Sequence, residues 1–80
     1  MNKYIEIPSE LEAIQWTGEN LSEIFDNIPL TYKVDDIIKS GIFSNNFLKE
    51  ARISDWIVKF PSGKYFVIPD NVFKESYQQI

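Results

Sequence analysis

The chain has 80 residues, 12 of them acidic and 8 basic, for a net charge of −4; 12 are aromatic, and there is neither cysteine nor histidine. This composition excludes a disulfide framework and a thiolate metal site, and it removes the commonest general base and transition-metal ligand. The negative balance argues against nucleic acid as a partner, which needs a cationic footprint, and no apolar run approaches the roughly 20 residues that span a bilayer.

Tyr4-Ile5-Glu6-Ile7 alternates apolar and polar residues, and Leu11-Glu12-Ala13-Ile14-Gln15-Trp16 is β-like as far as Gly18. Pro8 lies between them, so the spacing predicts two short strands joined by Pro8-Ser9-Glu10, or one strand with a bulge. Leu21, Ile24, Phe25 and Ile28 share one helical face, which predicts a helix over 20–27. Asn20 is placed to cap it, Glu23 to complete a capping box, and Pro29 to end it.

The middle of the chain is ambiguous. Thr31-Tyr32-Lys33-Val34 is β-prone, but Val34, Ile37 and Ile38 have helical spacing, with Asp35-Asp36 suited to a helix N-terminus and Gly41 to its end. Ile42-Phe43-Ser44 and Phe47-Leu48 flank Asn45-Asn46, a dipeptide that tolerates a tight hairpin turn. The competing reading is a short helix capped by Ser44 with Phe47, Leu48 and Ala51 turned inward.

Trp56 to Phe60 and Lys64 to Ile68 flank Pro61-Ser62-Gly63 and predict a hairpin. Both faces of that ribbon carry apolar residues, so both need a cover. Asp55 suits a turn bond to nearby backbone amides, and Glu12 suits pairing with Lys59 or Lys64 across a sheet. Asp70 or Asn71 is placed to cap a short C-terminal helix, with Phe73 and Tyr77 one turn apart on the same side. The expected fold is a single α+β domain over 1–80: a small, curved, mainly antiparallel sheet, one helix packed on it, and a short C-terminal helix. A chain this short buries only about 60% of its unfolded surface, so its rings are expected to supply much of the core, with Trp16 and Trp56 inside.

The ends of the chain carry further signals in order: Lys3-Tyr4, Glu12-Ala13-Ile14-Gln15-Trp16-Thr17-Gly18, Ser54-Asp55-Trp56-Ile57-Val58, Pro69-Asp70, and Phe73 with Tyr77. In these the chain resembles a family of small phage and prophage proteins of unknown function that carry a Pro-Gly-Asp-Tyr-Gly-like motif. Ser54 departs from the glycine usual at that place, and the stretch 29–51 has no counterpart in the family pattern. The resemblance implies a phage or prophage origin and a small α+β fold. It brings no catalytic residues.

Chemistry-bearing patterns are missing from the residues themselves. Asp35 and Asp36 are adjacent, so their side chains diverge; the serines have no histidine partner; the three glycines form no phosphate loop; and no calcium loop is present. The expectation is therefore a non-enzymatic protein with no cofactor and no metal, in the cytoplasm of a bacterial host, acting by contact with a host or phage protein. Phe43, Phe47, Phe60 and Tyr65 are the candidate partner-binding residues, because these rings exceed what so small a core obviously needs. Two other readings are an inhibitor of a host defence nuclease using Glu6, Glu10, Glu12, Asp35 and Asp36, and a self-assembling homo-oligomer.

Overall fold

Pro61-Ser62-Gly63 turns the chain as its composition predicts. Gly63 N–H donates to the Phe60 carbonyl at 2.8 Å, Phe60 N–H donates to the Lys64 carbonyl at 3.0 Å, and Gly63 takes φ +89°. This is a three-residue hairpin loop with a left-handed glycine in its last place, while proline presets the first φ. The computed structural model of the chain describes residues 1–6 and 9–79, with side chains over 1–3 and 11–77.

In chain order the elements are β1 (Asn2–Glu6), β2 (Ser9–Gln15), α1 (Leu21–Asn27), β3 (Tyr32–Val34), β4 (Ile37–Lys39), β5 (Glu50–Ala51), β6 (Trp56–Lys59), β7 (Tyr65–Ile68), α2 (Asp70–Ser76) and β8 (Gln78–Gln79). They form an α+β fold with two antiparallel sheets, one of five strands in the order β7-β6-β2-β1-β8 and one of three in the order β3-β4-β5. The first two strands form a hairpin with Glu6 opposite Ser9; the expected proline break between them falls at residues 7–8, outside the described residues.

The period-2 alternation of strands splits the large sheet into two apolar faces. On one face Ile14, Ile57, Tyr65 and Val67 join Trp16, Ile24, Ile28, Ile38, Phe43 and Ala51 in a single buried cluster. The cover on this side is α1, the small sheet and the Phe43 segment. On the other face Leu11, Ala13, Val58 and Ile68 pack with Phe73 of α2, and Trp56, Phe60 and Tyr77 border them. The body thus has three layers, and its central sheet is apolar on both sides, as the hairpin sequence requires.

Trp16 links the layers on the first side. Its ring is fully buried, and its indole N–H donates at 2.8 Å to the Asp36 carbonyl in the β3–β4 turn. On the second side, three separate motifs meet at one node. Asp70 Oδ1 accepts from Trp56 Nε1 at 2.8 Å and from Gln15 Nε2 at 3.2 Å, and Gln15 Nε2 also donates to the Ser54 carbonyl at 3.0 Å. Lys74 Nζ pairs with Asp70 Oδ2 at 3.1 Å, one helical turn on. The Trp56 hydrogen bond first, and then Lys74, hold the Asp70 carboxyl below the usual carboxylate range. The Trp56 ring lies flat on Phe73, centroids 3.9 Å apart and planes 6° apart, and Phe73 stacks in turn on Tyr77 at 4.8 Å.

Several local expectations are overturned. Asn20 precedes α1 but makes no side-chain cap; its Oδ1 accepts from the Thr17 amide and hydroxyl, and its Nδ2 donates to the Gln15 carbonyl and Glu23. Asp70 likewise is engaged by Trp56 and Gln15 rather than capping α2. Phe25 faces solvent, because a helix of seven residues buries only the narrow stripe of Ile24. Asp35 and Asp36 do not open a helix: they are the two-residue turn between β3 and β4, with Asp35 at φ +54°. Ile42 to Leu48 forms neither the predicted hairpin nor the competing helix. Phe43 bridges to Tyr65, and the residues after it follow the outer edge of β7.

Arg52 to Asp55 form a tight turn with Ser54 in it. Asp55 N–H donates to the Arg52 carbonyl at 2.9 Å and Asp55 Oδ2 accepts from Arg52 N–H at 3.0 Å, which bears out the turn role expected of Asp55. Ser54 is the third residue of this turn and takes φ +82°. A turn with positive φ at its third place calls for glycine, and the left-handed region costs other residues roughly 1–2 kcal/mol. Glycine returns about 0.5–1 kcal/mol of that through its freer unfolded chain. Ser54→Gly should therefore stabilise the protein by about 0.5–1 kcal/mol, or roughly 2–8 °C in thermal midpoint. A midpoint that falls would show that the serine side chain contributes more than its strain costs.

Candidate protein-binding surface

The stretch 40–50 has little regular structure and is held by polar bonds instead. Ser40 N–H donates to the Lys49 carbonyl at 3.0 Å, and Ile42 N–H to Ser40 Oγ at 3.2 Å. Ser44 N–H donates to the Tyr65 carbonyl at 2.8 Å. The Asn45 side chain then pairs with Val67 as a peptide group would: its Nδ2 donates to the Val67 carbonyl at 2.9 Å and its Oδ1 accepts from Val67 N–H at 2.7 Å. Segment 43–45 thereby covers the outer edge of β7, an edge that would otherwise expose unpaired backbone.

Asn46 fixes the next turn. Its carbonyl accepts from Lys49 N–H at 3.0 Å, its Oδ1 from Leu48 N–H at 3.0 Å, and its Nδ2 donates to the Glu50 carbonyl. Lys49 takes φ +57° and its ammonium donates to the Phe43 carbonyl at 2.6 Å. Phe47 and Leu48 occupy the two central places of this turn. Phe47 is 97% exposed and Leu48 60%. None of the bonds that hold the turn involves either side chain, so the fold gains nothing from the identity of Phe47.

The four predicted ring positions separate. Phe43 is fully buried and Tyr65 nearly so, side by side in the first cluster. They are core residues and form no surface patch. Phe60 is half-buried, packed on the second cluster and meeting the Phe66 ring edge-on at 4.9 Å. Only Phe47 of the four stands out in solvent. Tyr32, another of the surplus rings, is also exposed at 56%, and so is Leu30, at φ +60° and 78% exposed. The pairing of Tyr32 with Lys39 and of Lys39 with Glu50 sets the start of β3 and the start of β5 at the same end of the small sheet. Leu30 precedes the first of these strand starts and Phe47-Leu48 the second, and all are exposed.

Two concave sites are seen among the described residues. A cavity of about 230 Å³ is lined by Gln15, Thr17, Asn20, Glu23 and Trp56 among others; Asn20 bonds Thr17, Glu23 and the Gln15 carbonyl, and the Gln15 and Trp56 side chains donate to Asp70. An open groove of about 330 Å³ includes Lys3, Glu12 and Lys59, and the sheet register places Glu12 directly between the two lysines. Among the described residues no group of three or more acidic, cysteine or histidine side chains could hold a metal ion. Of the proposed acidic set, Glu12 is in the large sheet and Asp35-Asp36 form the turn of the small one, while the side chains of Glu6 and Glu10 lie outside the described residues. Among the described residues no helix is long and apolar enough to cross a membrane. Comparison with protein-family models, curated proteins and solved structures finds no match, so the likeness to small phage proteins rests on the quoted motifs alone.

Proposed function

We propose that this protein is a non-enzymatic accessory protein of phage or prophage origin, working in the cytoplasm of a bacterial host by contact with another protein. The Phe47–Leu48 turn is the centre of the contact. The observation that carries this reading is a phenylalanine almost wholly in water at the apex of a turn held entirely by other groups. The backbone that carries the ring is already fixed, so docking costs little backbone freedom, and the exposed ring offers a large apolar area to bury. The polar lining of the smaller cavity is taken up by hydrogen bonds within the fold, which favours contact over turnover.

The test compares the parent protein with Phe47→Ala as bait in lysate of a bacterial host, followed by titration of the retained protein. Loss of a hot-spot ring of about 2 kcal/mol or more weakens binding by roughly 30-fold. The thermal midpoint should stay within about 0.5 kcal/mol of the parent, as for other surface changes. Equal retention of the same protein by both baits would remove Phe47 from the reading.

A further inference from the structure

We infer that the free edge of β3 pairs with the β3 edge of a second copy of this chain, antiparallel and centred on Tyr32. This goes beyond the Phe47 contact and does not depend on it. The fold treats its two sheets differently. It covers the β7 edge with Ser44 and the Asn45 amide, yet β3 is the outer strand of the small sheet and all three of its residues are exposed. An uncovered strand edge is a template for another strand.

The sequence around the edge decides the occupant and the register. The two-residue Asp35-Asp36 turn closes on the pair Val34 and Ile37, so the ladder alternation turns the backbone groups of Val34 and Tyr32 toward β4. Those of Lys33 and Thr31 point outward. A two-fold pairing centred on Lys33 would set one lysine against the other. A pairing centred on Tyr32 instead sets Lys33 against Thr31 of the other copy and tyrosine against tyrosine. Lys33 and Thr31 then exchange backbone hydrogen bonds, no like charges face each other, and Tyr32 and Val34 of both copies, exposed in the single chain, lie on one face of the joined strands. Lysine on an edge strand ordinarily guards against pairing; in this register it does not oppose itself.

The chain has no cysteine, so a single introduced thiol reports the geometry cleanly. Tyr32 would sit in a non-hydrogen-bonded pair with Cα atoms about 4.5 Å apart, within the roughly 4.4–6.8 Å that a disulfide spans. Under mild oxidation Tyr32→Cys should cross-link to a dimer at least about ten-fold faster than Phe47→Cys, a more exposed position off the two-fold axis. Faster cross-linking of Lys33→Cys than of Tyr32→Cys would overturn the register, and equal rates at 32 and 47 would overturn the pairing. Sedimentation equilibrium tests the same edge without oxidation. The parent mass should rise with concentration, whereas Lys33→Pro, which removes an outward N–H and leaves the β3–β4 ladder intact, should remain monomeric. A parent that stays monomeric throughout, including one whose edge accepts only a strand from some other protein, would refute the proposal.

Discussion

Replacing Trp16 with alanine should bring the protein close to complete unfolding. Removal of a fully buried tryptophan costs about 3–5 kcal/mol. At roughly 0.05–0.15 kcal/mol per residue, a chain of this length has a total of about 4–12 kcal/mol. The loss falls where it cannot be absorbed locally, because the ring touches the core of the large sheet and its N–H holds the Asp36 carbonyl in the turn of the small one. The thermal midpoint should fall by about 15 °C or more. Trp16→Phe keeps most of the volume and loses the hydrogen bond, so it should cost less, roughly 1–3 kcal/mol. Urea titrations of the three proteins provide the measurement. A Trp16→Ala midpoint within experimental error of the parent would mean that the two sheets do not depend on this side chain.

Phe73→Ala is the second large effect, and it should be of a different kind. Phe73 is nearly fully buried between Trp56 and Tyr77, and it is the one buried residue of α2. Truncation of a buried phenylalanine again costs about 3–5 kcal/mol. A seven-residue helix has no stability of its own, so the helix should undock before the rest unfolds. Amides of Asp70–Ser76 should lose hydrogen-exchange protection, while those of β2 and β6 keep most of theirs. Trp56 fluorescence should shift to the red as its face becomes wet. Unchanged exchange over Asp70–Ser76 would show that the node at Asp70 holds the helix without the ring stack.

Much of this architecture is legible in the residues, and the failures have physical causes. The β6–β7 hairpin is visible because alternation on both strands agrees with proline and glycine in the loop. The second helix is visible through Phe73 and Tyr77, which do stack. The small sheet is hidden because Val34, Ile37 and Ile38 fit a helical stripe as well as a hairpin, and its turn places an aspartate, not a glycine, at positive φ. Asn45 and Asn46 suggest a turn by composition but act through their side-chain amides, one on a neighbouring strand and one on the turn that follows. The rings that seemed surplus mislead for a geometric reason: a central sheet apolar on both faces has two cores to fill, and Phe43 and Tyr65 are consumed by one of them. The exposure of Phe47 has no sequence signature, since the same residue type at the same spacing would serve a buried strand equally well.

The clamp of Asn45 on Val67 bears on how large any assembly can become. Indefinite polymers of sheet proteins grow when each added molecule leaves a fresh edge for the next. Here the large sheet is shut on its β7 side, its opposite border is a strand of two residues, and the β5 border of the small sheet is likewise two residues long and buried, so both are poor templates. A two-fold union at β3 would consume the open border of both molecules at once, so the series terminates at a pair and no filament follows.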